Sequence, residues 1–240
     1  MHIQIIYENK NFAVLNKPAG ILVHQIQISS VKHVPNKEET VADWLVARYP
    51  EASSVGDKPS IRPGIVHRLD KETSGVMVIA RTQEFFDYFK NLLKERKAQK
   101  TYIALVWGKL PKRGLIDTPI GLKPGTIRRT TRGKKMKMVK DAVTEYHSLE
   151  YFEQGGEIFT LAELFPKTGR THQLRVHMAS IHHSVVGDVM YGRKENPFNI
   201  GRHFLHAKTI EFGLLNNKLM KFEAPIPEDL KKILHYLQNI

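Results

Sequence analysis

The chain has 240 residues, 41% of them hydrophobic, which suffices for one large cored domain or two small ones. Its 37 Lys and Arg against 24 Asp and Glu give a formal charge of +13, an excess that favours a polyanionic partner because neutralising phosphates releases condensed counterions. There is no cysteine, no run of about 18 apolar residues and no signal-peptide pattern in the opening MHIQIIYENKNF. A disulfide framework, a thiolate nucleophile, a Cys-based zinc site and a membrane-spanning helix are therefore excluded, and a cytoplasmic protein is expected.

The β-prone runs Ile3 to Tyr7 and Phe12 to Asn16, joined by the polar Glu8-Asn9-Lys10-Asn11, predict a hairpin. Lys17-Pro18-Ala19-Gly20 punctuates the chain, and Gln25 to Glu39 reads as a polar, irregular loop. Thr40 is placed to cap a short helix whose apolar positions are Val41, Trp44, Leu45 and Tyr49. Ser53 to Gly64, rich in Gly, Pro and Ser, reads as a second loop. Val76 to Ala80 suits a buried strand. Gln83 to Lys97 reads as a helix with Phe85, Phe89, Leu92 and Leu93 on one face.

Lys100 to Trp107 returns to strand character, with Tyr102, Ala104 and Val106 alternating against Thr101, Ile103 and Leu105. Between Lys123 and Lys140 stand Lys123, Arg128, Arg129, Arg132, Lys134, Lys135, Lys137 and Lys140, with no acid before Asp141. This stretch is either a solvated hairpin tip or a phosphate-tracking arm. The block of like charge favours the arm. Strand-like runs recur at Val143 to Tyr151, Ile158 to Phe165 and Phe204 to Phe212, and Leu230 to Leu237 closes as a helix. Strands with interleaved helices and locally antiparallel pairs imply a mixed α/β or α+β protein around a large sheet, with no repeat and no clean domain break.

Three segments concentrate chemistry. Arg62 to Gly75 sets Asp70 among cations in a glycine-bounded loop, where a carboxylate stays ionised and serves as nucleophile or charge stabiliser. A surface salt bridge to Arg68 or Lys71 is the plainer alternative. Lys100-Thr101-Tyr102 places an aromatic beside a cation, suited to stacking on a base, unless Tyr102 is simply core. In Thr168 to Met178, Thr171 is a potential helix cap and Arg175 lies one turn on, with the helix start favouring an anion. His172, His177, His182 and His183 lack the spacing of a metal motif, so no metal site is expected. His67-Arg68-Leu69-Asp70 departs from the kinase H-R-D order, and neither a Walker A motif nor a G-x-S-x-G elbow is present.

Together these segments resemble the RluA-type family of pseudouridine synthases. The resemblance rests on Asn16-Lys17-Pro18-Ala19-Gly20, His67 to Gly75, Lys100-Thr101-Tyr102, Thr168 to His177 and Leu205-His206-Ala207, in order from about Ile5 to Pro225. It implies a large, mostly antiparallel, bent mixed sheet with flanking helices and a central RNA cleft. One catalytic domain would span 1–240, with no N-terminal S4 module. Asp70 would be the essential carboxylate, Tyr102 would stack on the target uracil, and Arg175 would pair with Asp70. Arg68 would fill the space left by a flipped nucleotide, and His67, Lys100, Arg170 and Leu205 would contact substrate. Arg128, Arg129, Arg132, Lys134 and Lys135 would grip RNA, either ribosomal or transfer. The implied reaction breaks N1–C1′, turns the uracil and joins C5 to C1′. No group leaves and no oxidation state changes, so no cofactor is expected, and a monomer with no required protein partner is the default. The alternatives are a catalytically silent RNA-binding or assembly factor on the same fold, and a basic nuclease, for which the sequence shows no metal constellation.

Overall fold

The computed structural model describes residues 1–25, 38–133, 135–214 and 218–239. Most of the predicted loop from Gln25 to Glu39, and Lys134 of the basic stretch, lie outside the described residues. In chain order the elements are β1 (Gln4–Glu8), β2 (Phe12–Lys17), α1 (Val41–Arg48), a 3₁₀ turn (Pro50–Ser54), β3 (Ser74–Ala80) and α2 (Gln83–Lys94). There follow β4 (Gln99–Trp107), β5 (Arg113–Asp117), β6 (Ile120–Leu122), β7 (Arg129–Thr130), β8 (Lys137–Lys140), β9 (Val143–Gln154) and β10 (Glu157–Pro166). The chain closes with α3 (Gln173–Ser180), β11 (Leu205–Gly213), β12 (Leu219–Glu223) and α4 (Glu228–Gln238). The fold is α+β, with a large, mostly antiparallel mixed sheet. No helix among the described residues is long and apolar enough to cross a membrane.

The chain forms two compact units, Met1–Ala98 with Thr209–Ala224, and Gln99–Lys208 with Pro225–Ile240. In the first, β1, β2 and β3 pair antiparallel in sequence order, Phe12 standing opposite Ala80 and Lys17 opposite Gly75. Every residue of β3 is buried, which explains its unbroken apolar run. Thr82 caps α2 by accepting the Phe85 N–H, and the helix buries Phe85, Phe86, Phe89 and Leu92. Their rings build an aromatic core: Phe85 stacks on Phe12 at 4.3 Å, and Phe89 meets Phe212 edge-on at 4.8 Å. Thr40 caps α1 in a reciprocal box with Asp43, as the sequence suggests.

In the second unit β4, β10, β9 and β5 pair antiparallel in that order, with Tyr102 opposite Leu164 and Trp107 opposite Phe159. The period-2 alternation expected for β4 holds only in part. Ile103 through Trp107 are all buried, so that half of the strand is covered on both faces. Helix α4 packs on β9, and α3 packs on β9 and β10. A separate small sheet, in the order β7-β6-β8, carries the basic stretch. Strands β5, β6 and β12 are too short or too polar to show a period in the sequence, while β7 and β8 fall in the basic stretch, for which a hairpin tip is one of the two readings.

Candidate active site

Asp70 sits in the first unit, in the loop entering β3. Gly64 anchors the base of this loop, accepting from the Ala80 N–H at 2.9 Å and donating to the Val55 carbonyl at 2.8 Å. Leu69 is buried and roots the next turn, and the Asp70 carbonyl accepts from the Thr73 N–H at 3.1 Å, closing a turn over Lys71 and Glu72. Lys17, fully buried, donates its ammonium to the carbonyls of Lys71 at 3.0 Å and Pro18 at 2.6 Å, while Gly20 N–H donates to the same Lys71 carbonyl. The Lys-Pro-Ala-Gly motif thus buttresses the loop that carries the acid.

Within this loop the cations have their own partners. Lys71 pairs with Glu38 at 2.8 Å. The exposed Arg68 donates to His24 Nε2 at 3.2 Å. His24 Nδ1 lies 2.9 Å from the Gln25 carbonyl, which only accepts, so Nδ1 carries the proton and Nε2 is the acceptor. Burial lowers the His24 pKa, helped by Arg68 and Arg62 and opposed by the Gln25 carbonyl, which favours the neutral ring. His67 accepts from the Val78 N–H at 2.9 Å and packs its ring near Phe89, which fastens the loop to β3.

Tyr102, Lys100, Arg170, Arg175 and Leu205 belong to the second unit. Tyr102 is partly buried against the core of this unit. Lys100 stands two positions earlier on β4, on the same face as Tyr102. Burial pushes its ammonium down to about 8. Leu205 lies in the core cluster at the start of β11, 3% exposed.

Helix α3 begins differently from expectation. Its cap is His172, in the left-handed region at φ 57°, with no side-chain cap, and Thr171 is exposed. A left-handed cap residue lacks the extended backbone that side-chain capping requires, so neither Thr171 nor His172 caps α3 with its side chain. Gln173 instead fastens the turn that precedes the helix, its amide oxygen accepting from the Arg170 N–H at 3.0 Å and the Thr168 hydroxyl at 2.7 Å. Arg170 donates through Nε to the Asp141 carbonyl at 2.8 Å.

Arg175 is buried and held side-on by Asp188, with Nε to Oδ2 at 2.7 Å and Nη2 to Oδ1 at 2.8 Å. Asp188 Oδ1 also accepts the N–H groups of Met190 and Tyr191, each at 3.0 Å. Burial alone would raise the Asp188 pKa, but the Arg175 guanidinium and the Tyr191 N–H outweigh it, and the net shift is downward. Asp188 and Tyr191 were missed from the sequence. The signal that could have found them is Gly187-Asp188 and Tyr191-Gly192, an acid and an aromatic between glycines outside any periodic element. On the small sheet Arg128, Arg132 and Lys135 are exposed and Arg129 is partly buried. Ile127, Met138 and Val139 are exposed among these cations.

The first unit thus carries an acid loop buttressed by Lys17, and the second a helix-borne guanidinium gripped by Asp188, in an α+β fold with a large, mostly antiparallel mixed sheet. Residues 11–180 match the family described as RNA pseudouridylate synthase, and the chain belongs to that family. Over 230 residues it is 37% identical to an uncharacterized RNA pseudouridine synthase of Chloroflexus aurantiacus, covering 93% of this chain and 66% of that protein. It is 35% identical over 246 residues to ribosomal large subunit pseudouridine synthase D of Nitrosomonas europaea, covering 99% and 66% respectively. The chain therefore spans just under two-thirds of the length of these two relatives. Among solved structures, human RNA pseudouridylate synthase domain containing 1 superposes with a TM-score of 0.71 at 25% identity, covering 100% of this chain and 96% of that one.

Proposed function

We propose that this protein isomerises uridine to pseudouridine in structured RNA, with ribosomal RNA as the favoured substrate, working as a cytoplasmic monomer. The observation that carries this reading is that the family match from 11 to 180 encloses Asp70, Tyr102 and Arg175 together. The name of the Nitrosomonas europaea relative supports the ribosomal substrate.

In this reading the enzyme first extrudes the target uridine, at a cost of about a few kcal/mol of unstacking, because C1′ and C5 are hidden in folded RNA. Tyr102 recovers about 1–3 kcal/mol by stacking on the base. Arg68, exposed and steadied by neutral His24, fills the vacated place in the RNA. Asp70 serves as the reacting carboxylate, while Arg175, aimed by Asp188, stabilises it. The N1–C1′ bond breaks, the uracil turns in place, and C5–C1′ forms. The proton on C5 is lost and N1 gains one, so the atoms balance with no co-reactant. Lys100 and Arg170 neutralise phosphate near the base, and Arg128, Arg129, Arg132, Lys134 and Lys135 hold the flanking RNA.

Asp70→Asn is the decisive variant. It is expected to abolish tritium release from 5-tritiated uridine in RNA while leaving thermal stability and RNA affinity close to wild type. Retained turnover in Asp70→Asn rejects the assignment of the carboxylate. A wild-type protein that binds RNA without forming pseudouridine would instead mark a silent binding or assembly factor.

A further inference from the structure

We propose that Tyr191 is a positioning residue that couples occupancy of the basic arm, β6 to β8, to the geometry of Arg175. The proposal rests on the reading of Arg175 as the partner of the reacting carboxylate.

One side chain touches three parts of the second unit. The Tyr191 hydroxyl accepts the backbone N–H of Arg129, on β7, at 3.0 Å. The same oxygen lies 2.8 Å from Nδ1 of His172, the left-handed residue that starts α3. The ring lies beneath the Arg175 guanidinium, 5.1 Å from centroid to Cζ, in cation–π range. The Tyr191 backbone N–H is held by Asp188, the same carboxylate that grips Arg175. Tyr191 therefore joins the arm, the helix start and the guanidinium.

Strand β7 has only two residues, paired to β6 at Thr130 and Arg129, so few ladder bonds fix it. Exposed Arg128 and Arg132 flank it. Phosphates seated on those guanidiniums hold β7 in place, and the Arg129 N–H then holds the Tyr191 hydroxyl. With the hydroxyl fixed, the ring has one orientation under Arg175.

A packing role alone is the competing explanation, because the ring also contacts the small cluster of Ile120, Ala142 and Val176. Tyr191→Phe separates the two, since it keeps the ring and removes only the hydroxyl. If the coupling holds, Tyr191→Phe lowers kcat about ten-fold, the size of one lost hydrogen bond expressed in the transition state, with KM for RNA within about two-fold of wild type. An Arg128→Gln/Arg132→Gln variant lowers kcat as well as weakening binding. Adding Tyr191→Phe to it lowers kcat no further. Unchanged kcat in Tyr191→Phe, or losses that multiply in the combination, overturns the proposal.

A second readout does not depend on turnover. In the ¹⁵N spectrum, RNA binding is expected to shift the Arg175 Nε–H resonance in the wild type and not in Tyr191→Phe, whereas equal shifts in both overturn the coupling. If the wild type forms no pseudouridine, the assigned reaction fails, and this resonance still decides whether arm and guanidinium are linked.

Discussion

Gly64 closes the base of the Asp70 loop at a point where no side chain fits. Its φ is +63°, and a Cβ there would meet the Ala80 carbonyl oxygen and Leu45 Cδ2, each at 2.5 Å. Gly64→Ala combines left-handed strain with overpacking against backbone, for an expected loss of about 2–4 kcal/mol. Denaturant titration measures the loss, and turnover is expected to fall with it because the loop loses its anchor. Lys100 presents the opposite case, a side chain whose charged form the fold disfavours. Its ammonium is lowered to about 8 by burial, from 10.5. Between those values the unfolded chain holds more protons than the native one, so this residue makes stability rise with pH from about 8 to about 10.5. Lys100→Met is therefore expected to be more stable than wild type at pH 7, by roughly 2–4 °C in Tm for each kcal/mol recovered, and to lose its advantage by pH 11. Thermal melts at both pH values check this. An equal or lower Tm at pH 7 would mean that the ammonium is well solvated.

Helix α3 is held to β9 by polar groups as much as by apolar ones. Gln173 donates to the Val143 carbonyl at 2.9 Å and to the Thr144 hydroxyl at 3.0 Å. His177, fully buried, donates to the Thr118 carbonyl at 3.0 Å and takes the Thr144 hydroxyl on Nδ1 at 2.9 Å. Burial lowers its pKa from 6.5, with the Thr118 carbonyl and Asp117 opposing. Below 6.5 the unfolded chain takes a proton that native His177 resists, so its contribution is complete above that pH and falls away as pH drops toward the native value. His177→Gln is expected to flatten the acid limb of the stability–pH curve, and a limb as steep as wild type would contradict this. Such contacts also mark where the sequence stops being legible. The helical faces of Phe85 and Phe89 and the unbroken run of β3 declare themselves, because one period controls their burial. The lysine motif, the acid loop and the Lys-Thr-Tyr strand are recognisable as ordered motifs. The Gln173 tie to the turn before α3, the His24 brace and the Asp188 clamp are not, since each depends on a partner that no local period brings near. Thr171 looked like a cap only because the left-handed turn at His172 leaves no mark on composition.

Across the whole chain, the charge of +13 says that RNA is attracted, but not where. The arm is the sharpest concentration of it, and Arg128, Arg132 and Lys135 expose their side chains there. Exposed cations that neutralise phosphate act mainly through counterion release, which leaves a signature in salt dependence rather than in stability. Neutralising all three to Gln is expected to leave Tm nearly unchanged, because exposed charges away from buried features contribute little. It is also expected to weaken RNA binding and to flatten the slope of log K against log salt. At about 0.7 per contact for single strands and about 0.9 for duplex, three lost contacts reduce the slope by about 2 to 3. Asp70→Asn, which removes an acid from the first unit, is not expected to flatten the slope. Measuring Kd by fluorescence anisotropy from low to physiological salt separates the two variants. A triple variant with the wild-type slope would move the RNA grip off the arm and onto other basic surface, and a slope reduced by about one would leave a single phosphate contact there.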